Sequence, residues 1–136
     1  MIVVMSLINL IYQLIRTARP RQWLKNLSVF AAPFFSGLFF TGDVFIKSVL
    51  CFIAFCMVSS GAYFVNDIKD IERDRQHPIK SNRPIASGKL PIWLAWGVAF
   101  SLIAFGIIFS QLYVGNYFTY SVLAYVLIQL LYSSYF

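Results

Sequence analysis

The chain has 136 residues, of which 60% are hydrophobic and only 12% charged, with a mean hydropathy of +0.74. Soluble domains carry about 25% charged residues and disordered chains more, so both classes are excluded and a membrane protein is left. The net charge is +6, from 11 Lys and Arg against 5 Asp and Glu; these basic residues sit between apolar stretches, which implies lipid headgroups or an anionic substrate and no nucleic acid.

Residues 1–18 are predicted to form an amphipathic helix in the membrane interface, because Ser6, Asn9, Gln13, Arg16 and Thr17 fall on one helical arc. No basic residue precedes the apolar part, so it does not read as a signal peptide. Charge-poor stretches then predict four spans, at 22–41, 46–66, 91–111 and 117–136, with a turn at Gly115–Asn116 before the last. The second ends in Ser59–Ser60–Gly61–Ala62, small residues that let a neighbouring helix come close. Cys51 and Cys56 lie in the same span, about 140° apart on a helix, and cannot bridge each other. The expected fold class is all-α, a multi-span transmembrane helical bundle with an N-terminal interfacial helix. The whole is one domain, and Phe136 closes the fourth span with no polar tail, so the bundle is expected to be incomplete.

Ten of the sixteen charged residues, and the single histidine, lie in the loop 67–90 between spans two and three. Arg16, Arg19, Arg21 and Lys25 precede span one, and two spans separate them from Lys69, Arg73, Arg75, Lys80, Arg83 and Lys89. The two groups therefore share one face of the membrane, and only Lys47 falls on the other. By the positive-inside rule the shared face is cytoplasmic, in a cell (inner or plasma) membrane.

The loop opens with Asn66-Asp67-Ile68-Lys69-Asp70-Ile71-Glu72-Arg73-Asp74-Arg75-Gln76-His77-Pro78. On a helix, Asn66, Asp70 and Asp74 stack along one face, with Asp67 flanking it and His77 one turn on, before Pro78 ends the helix. Oxygen donors that repel one another gain most from a hard divalent cation, which favours Mg²⁺ over Zn²⁺ and a diphosphate-bearing substrate that shares it. Asn66, Asp70 and Asp74 are the expected metal ligands, and Asp67, Asp70 and Asp74 the expected catalytic carboxylates. Lys80 and Arg83 are placed to receive phosphate oxygens, Lys89 either that or a headgroup. Lys25 lies inside the apolar boundary, where a charge is costly and usually functional. His77 reads either as a substrate ligand or base, or as a cap on the helix end. Trp23 reads as an interfacial anchor. A merely solvated loop would account for the Lys and Arg, but not for acids at helical spacing directly at the end of a span.

Asn66–Asp74 as NDxxDxxxD, followed by Arg83–Gly88 as RPxxSG, resembles the UbiA prenyltransferase superfamily. The resemblance implies an all-helical membrane transferase that uses Mg²⁺ to bind a diphosphate. Arg19-Pro20-Arg21-Gln22-Trp23-Leu24-Lys25-Asn26, Val29–Pro33, Asp74–Pro78 and Lys80 are similar to its decaprenyl-phosphate phosphoribosyltransferase branch. That branch implies transfer of 5-phosphoribose from phosphoribosyl pyrophosphate to a polyprenyl phosphate, with release of pyrophosphate, in cell-envelope biosynthesis. Lys25, Asn66, His77, Lys80 and Arg83 are the substrate-binding residues this implies. The alternatives are a prenyltransferase acting from a prenyl diphosphate on an aromatic acceptor, or a non-catalytic membrane subunit or remnant. Family chains are about twice as long and carry a second aspartate-rich motif, so a complementary C-terminal half is an expected partner.

Overall fold

The computed structural model describes residues 2–135. Its elements are α1 (Ile2–Ala18), a 3-10 segment Pro20–Phe30, α2 (Ala31–Phe35), α3 (Val44–Lys69), α4 (Ile71–Arg75), a 3-10 turn Lys80–Asn82, α5 (Ile92–Tyr113) and α6 (Asn116–Tyr135). No strand occurs among the described residues, in keeping with the all-α expectation. Two of the helices, α3 and α5, are long and apolar enough to cross a membrane.

The centre of the fold is the α3–α5 pair. Its seam works because both helices put small residues inward. On α5 the buried positions are Ala95, Ala99, Gly106 and Ser110, whereas Trp93, Phe100, Phe105, Ile108 and Leu112 point away from the chain. That inversion of the soluble pattern is what lipid permits, since large apolar side chains lose nothing by facing acyl chains. At Gly61 a β-carbon would stand 2.7 Å from Ile103 Cγ1 and 3.0 Å from the Ala99 carbonyl. At Gly106 it would stand 2.6 Å from Val58 Cγ1. The helices run antiparallel, with Gly61 beside Ala99 and Ile103 and Gly106 beside Ala54 and Val58. The small-residue run at 59–62 thus has its predicted use. Val122 and Val126 of α6 close against Val58 on the same side.

The first predicted span, 22–41, is not one α-helix. Pro20 opens the 3-10 segment, Pro33 has no N–H to continue a helical ladder, and residues 36–43 form turns. The 3-10 segment descends antiparallel along α3. Trp23 Nε1 donates to Ser60 Oγ at 2.8 Å, Asn26 Nδ2 to Ser59 Oγ at 3.3 Å, and Phe30 meets Phe52 with ring centroids 5.7 Å apart. Three residues per turn put Trp23 and Asn26 on one edge, so both reach α3. Trp23, expected as an interfacial anchor, is instead docked on a neighbouring helix, and Ser60 passes the bond on to the Ala18 carbonyl at 2.9 Å.

Helix α1 covers the predicted 1–18 element. Leu10, Leu14 and Ala18 rest on the core that includes Phe64, Ile68, Ile85 and Leu90. Of its polar arc, Gln13 and Thr17 are buried against the chain, while Leu7, Ile8, Ile11 and Ile15 stay exposed.

Candidate functional site

The helix that carries the acidic residues breaks at Asp70, where α3 gives way to α4 with a backbone near φ −92°, ψ 8°. The hydrogen bonds Asp70 N–H to the Asn66 carbonyl, 3.0 Å, and Asp74 N–H to the Asp70 carbonyl, 2.8 Å, nevertheless carry the helical path across. Two turns separate Asp67 from Asp74, which brings them to the same face. Ile68 and Ile71 are buried in the core beside them, so the acids are drawn inward by the apolar residues they alternate with. Asp67 and Asp74 are 2% and 1% exposed.

Two arginines answer them. From the loop after α4, Arg83 Nη1 donates to Asp74 Oδ2 at 2.8 Å and to Asp67 Oδ1 at 3.3 Å. From the end of α1, Arg19 Nη2 donates to the same Asp67 Oδ1 at 2.6 Å, with its guanidinium carbon 4.7 Å from the centroid of the Tyr63 ring. Charge-assisted bonds of this kind are what a carboxylate taken out of water requires. The loop is aimed by its apolar members: Ile85 and Leu90 sink into the core, Leu90 N–H closes on the Pro84 carbonyl at 3.0 Å, and Arg75 Nε holds the Ala86 carbonyl at 3.0 Å. Arg83 is thereby left pointing at the acids. Arg19 adopts a left-handed backbone, φ 54°, a strained choice for arginine that persists where surroundings over-determine it.

The remaining predicted residues take up varied positions. Asn66 Oδ1 accepts a hydrogen bond from the Ser133 hydroxyl at 3.0 Å, tying α6 to the site. Asp70 is partly exposed, with Arg73 3.9 Å away. His77 is exposed and its Nδ1 accepts the N–H groups of Ile79 and Lys80, both at 3.1 Å, so it braces the turn that follows it and not the end of α4. Lys80 is exposed beside it. Lys25 is exposed on the 3-10 segment, and no hydrogen bond or ion pair joins it to the cluster. Arg19 is the member of the cluster that the sequence did not assign to the site. Its signal was its place beside Pro20 on the same membrane face as the loop; its partner, 48 positions away, had none.

The donor set suits a hard cation in its chemistry. It is oxygen only, and Asp74 Oδ1 is a buried atom with no hydrogen-bond partner, an orphan that a cation or a ligand proton would satisfy. Among the described residues no three acidic, His or Cys side chains are grouped to hold a metal ion; Arg83 stands between Asp67 and Asp74 and supplies the positive charge. Between the 3-10 segment, α3 and α5 lies an apolar cavity of about 400 Å³ lined by residues that include Ala18, Trp23, Phe52, Cys56, Ser60 and Leu102.

Residues 4–136 match the UbiA prenyltransferase family. The decaprenyl-phosphate phosphoribosyltransferase of Corynebacterium glutamicum is 45% identical over 101 residues, 73% of this chain and 30% of that protein. The enzyme of the same name from Mycolicibacterium smegmatis is 43% identical over 106 residues, 75% of this chain and 33% of that protein. A digeranylgeranylglyceryl phosphate synthase from Sulfurisphaera tokodaii is 37% identical over 67 residues, 49% of this chain and 23% of that protein. The match to the first two thus spans about a third of their length. With its helical architecture, its two long apolar helices and this agreement over nearly all residues, the chain belongs to the UbiA prenyltransferase family.

Proposed function

We propose that this chain is the N-terminal part of a membrane transferase that moves 5-phosphoribose from phosphoribosyl pyrophosphate to a polyprenyl phosphate and releases pyrophosphate. The observation that carries the reading is the meeting of Arg19 and Arg83 on Asp67. One arginine comes from the stretch at 19–33 and the other from the stretch at 66–91, and these are the two stretches that resemble the phosphoribosyltransferase branch. The relatives named for that activity add the second support.

In the reaction, a phosphate oxygen of the lipid forms a bond to C1 of the ribose. The C1–oxygen bond to pyrophosphate breaks, and pyrophosphate leaves with the electron pair. The nucleophile is already an anion, so the chain need not supply a strong base. Its task is to hold two sets of phosphates close together against their repulsion and to stabilise the leaving charge. Arg83 offers a fork that matches phosphate, and Lys80 and Lys25 offer point charges from the same membrane face. Asn66, Asp70 and Asp74 are the residues that would hold Mg²⁺, with Asp74 Oδ1 as the donor that has no other use. Bound there, Mg²⁺ would neutralise the leaving diphosphate. The apolar cavity between the 3-10 segment, α3 and α5 would take part of the polyprenyl chain. The loop would face the cytoplasm, where phosphoribosyl pyrophosphate is soluble, and a complementary C-terminal half would complete the bundle.

The test is a labelling assay on membranes containing this chain together with a C-terminal half from a relative. Label is offered either in the ribose of phosphoribosyl pyrophosphate or in the chain of a prenyl diphosphate, with Mg²⁺ or with a chelator. Label entering lipid from the ribose, only with Mg²⁺, is the expected result. Label transferred to an aromatic acceptor from the prenyl diphosphate alone would replace this reading with prenyl transfer. No transfer from either, with no Mg²⁺-dependent binding, would leave a non-catalytic membrane protein.

A further inference from the structure

We propose that Asp67 is a positioning residue, the shared counter-ion that aims Arg19 and Arg83 at the substrate's phosphates, and not a ligand of the cation. The proposal rests on the diphosphate reading above and deepens it, adding Arg19 to the phosphate-binding groups. A single atom, Asp67 Oδ1, receives both guanidinium groups, at 2.6 and 3.3 Å. Its side chain is 3% exposed, so this oxygen is committed to the arginines. Asp74 differs: one oxygen is engaged by Arg83 and the other is buried with no partner. Both acids hold Arg83, and Asp67 alone also holds Arg19.

The arginines keep what a phosphate needs. Each guanidinium has five N–H donors in a fixed fork. Arg19 spends one nitrogen on Asp67, and Arg83 spends Nη1 on both acids. Both side chains remain about a quarter exposed, 25% and 26%, so the unused donors face outward. The two arginines are balanced by Asp67 and Asp74, so it is their unused N–H donors, and not a net charge, that would hold an anion. Tyr63 lies under the Arg19 fork, and the left-handed backbone at Arg19 bends the chain so that α1 ends at the acid while the 3-10 segment departs along α3. The same backbone closes α1, Arg19 N–H bonding the Ile15 carbonyl at 3.2 Å, and Ala18 and Trp23 on either side fasten the chain through Ser60.

The experiment uses the chain together with the C-terminal half of a relative in nanodiscs of neutral phosphatidylcholine, so that anionic headgroups do not compete. Calorimetry measures binding of Mg²⁺ alone and then of pyrophosphate in saturating Mg²⁺, for the unaltered chain and for Asp67→Asn, Asp70→Asn and Arg19→Lys. Asp67→Asn is expected to leave Mg²⁺ affinity within about twofold and to weaken pyrophosphate at least about tenfold, the scale of lost charge-assisted hydrogen bonds. Asp70→Asn is expected to weaken Mg²⁺ itself about tenfold or more. Arg19→Lys retains the charge opposite Asp67 but not the fork, and is expected to weaken pyrophosphate several-fold at constant Mg²⁺ affinity. Equal loss of Mg²⁺ affinity in Asp67→Asn and Asp70→Asn would make Asp67 a ligand and overturn the proposal. Unchanged pyrophosphate affinity in Arg19→Lys would overturn it too, and this variant decides alone if Asp67→Asn does not insert. An unaltered chain that binds neither Mg²⁺ nor pyrophosphate would sink the diphosphate reading and this assignment with it. Binding by the unaltered chain that every variant matches would sink the assignment only.

Discussion

Between Ala54 and Gly61, α3 meets α5 through shape, whereas from Asp67 onward the chain is held to its neighbours through charge. The seam contains no ion pair and leaves no room for one extra carbon. The cluster is loosely filled by comparison, with two arginines about a quarter exposed, and depends on opposite signs at 2.6–3.3 Å. The two regions lie one to two helical turns apart on α3, yet they should fail in opposite ways. A seam tolerates any polarity that fits and rejects volume; a cluster tolerates changes of volume and rejects an unmatched charge. The difference also separates roles. Shape makes the scaffold, and charge is concentrated where an anion would be handled.

The largest effect is expected from Arg83→Met. It removes the partner of Asp74 and half the company of Asp67, and breaking a buried pair from one side costs about 3 kcal/mol, the lower end for such pairs because Arg83 is partly exposed. Unfolding in detergent micelles followed by near-ultraviolet circular dichroism would read it. The double change Arg83→Met with Asp74→Leu should recover most of that stability, since an apolar pair of similar size replaces buried charges without penalty. It should recover no transfer activity. A double variant as unstable as the single one would mean that the cluster is a scaffold like the seam, and the contrast would collapse.

Next comes Gly61→Ala. The new carbon would press on Ile103 Cγ1 and on a backbone carbonyl that cannot rotate away, and overpacking of this kind costs about 1–3 kcal/mol. Gly97→Ala is the control, on the same pair of helices with nothing within 4 Å of the added carbon; it should stabilise by about 0.5–1 kcal/mol from backbone entropy alone. Equal effects at the two glycines would show that α3 and α5 do not touch as closely as the seam requires.

The seam was legible because small residues in an apolar run have few other uses, and Ser59–Ala62 stood out against Phe and Ile on every side. The acids were legible as a group, but their pairing was not. Spacing i, i+4, i+8 favoured Asn66, Asp70 and Asp74 as one face, while the face that turned inward carries Asp67 and Asp74, because Ile68 and Ile71 pull that side into the core. Arg19 illustrates what no local pattern can hold: its partner is set by how the 3-10 segment lies on α3, and that depends on Trp23 and Asn26 finding Ser60 and Ser59. The first span was misread in form for a related reason. A charge-poor stretch suggests a span but does not specify whether its backbone is an α-helix or, between two prolines, a tighter coil.

The smallest effect is expected at His77, and it sharpens the contrast by marking where the cluster ends. His77 sits three residues beyond Asp74 and is close enough in sequence to be taken for a base. Its Nδ1 is already occupied by two backbone N–H groups, those of Ile79 and Lys80, and an acceptor so engaged is not free to take a proton from substrate. His77→Ala should therefore loosen the turn and little else. Its cost should be about 1 kcal/mol or less, the scale of a lost cap whose freed N–H groups are solvated. The transfer rate should fall by no more than about threefold, against the hundredfold or greater loss that follows removal of a general base. His77→Asn, whose side-chain oxygen can accept the same N–H groups, should restore the turn and the rate together. A hundredfold loss in both variants would extend the charged machinery past Asp74 into the loop, and the boundary between a region held by hydrogen-bonded turns and a region that works by charge would have to move with it.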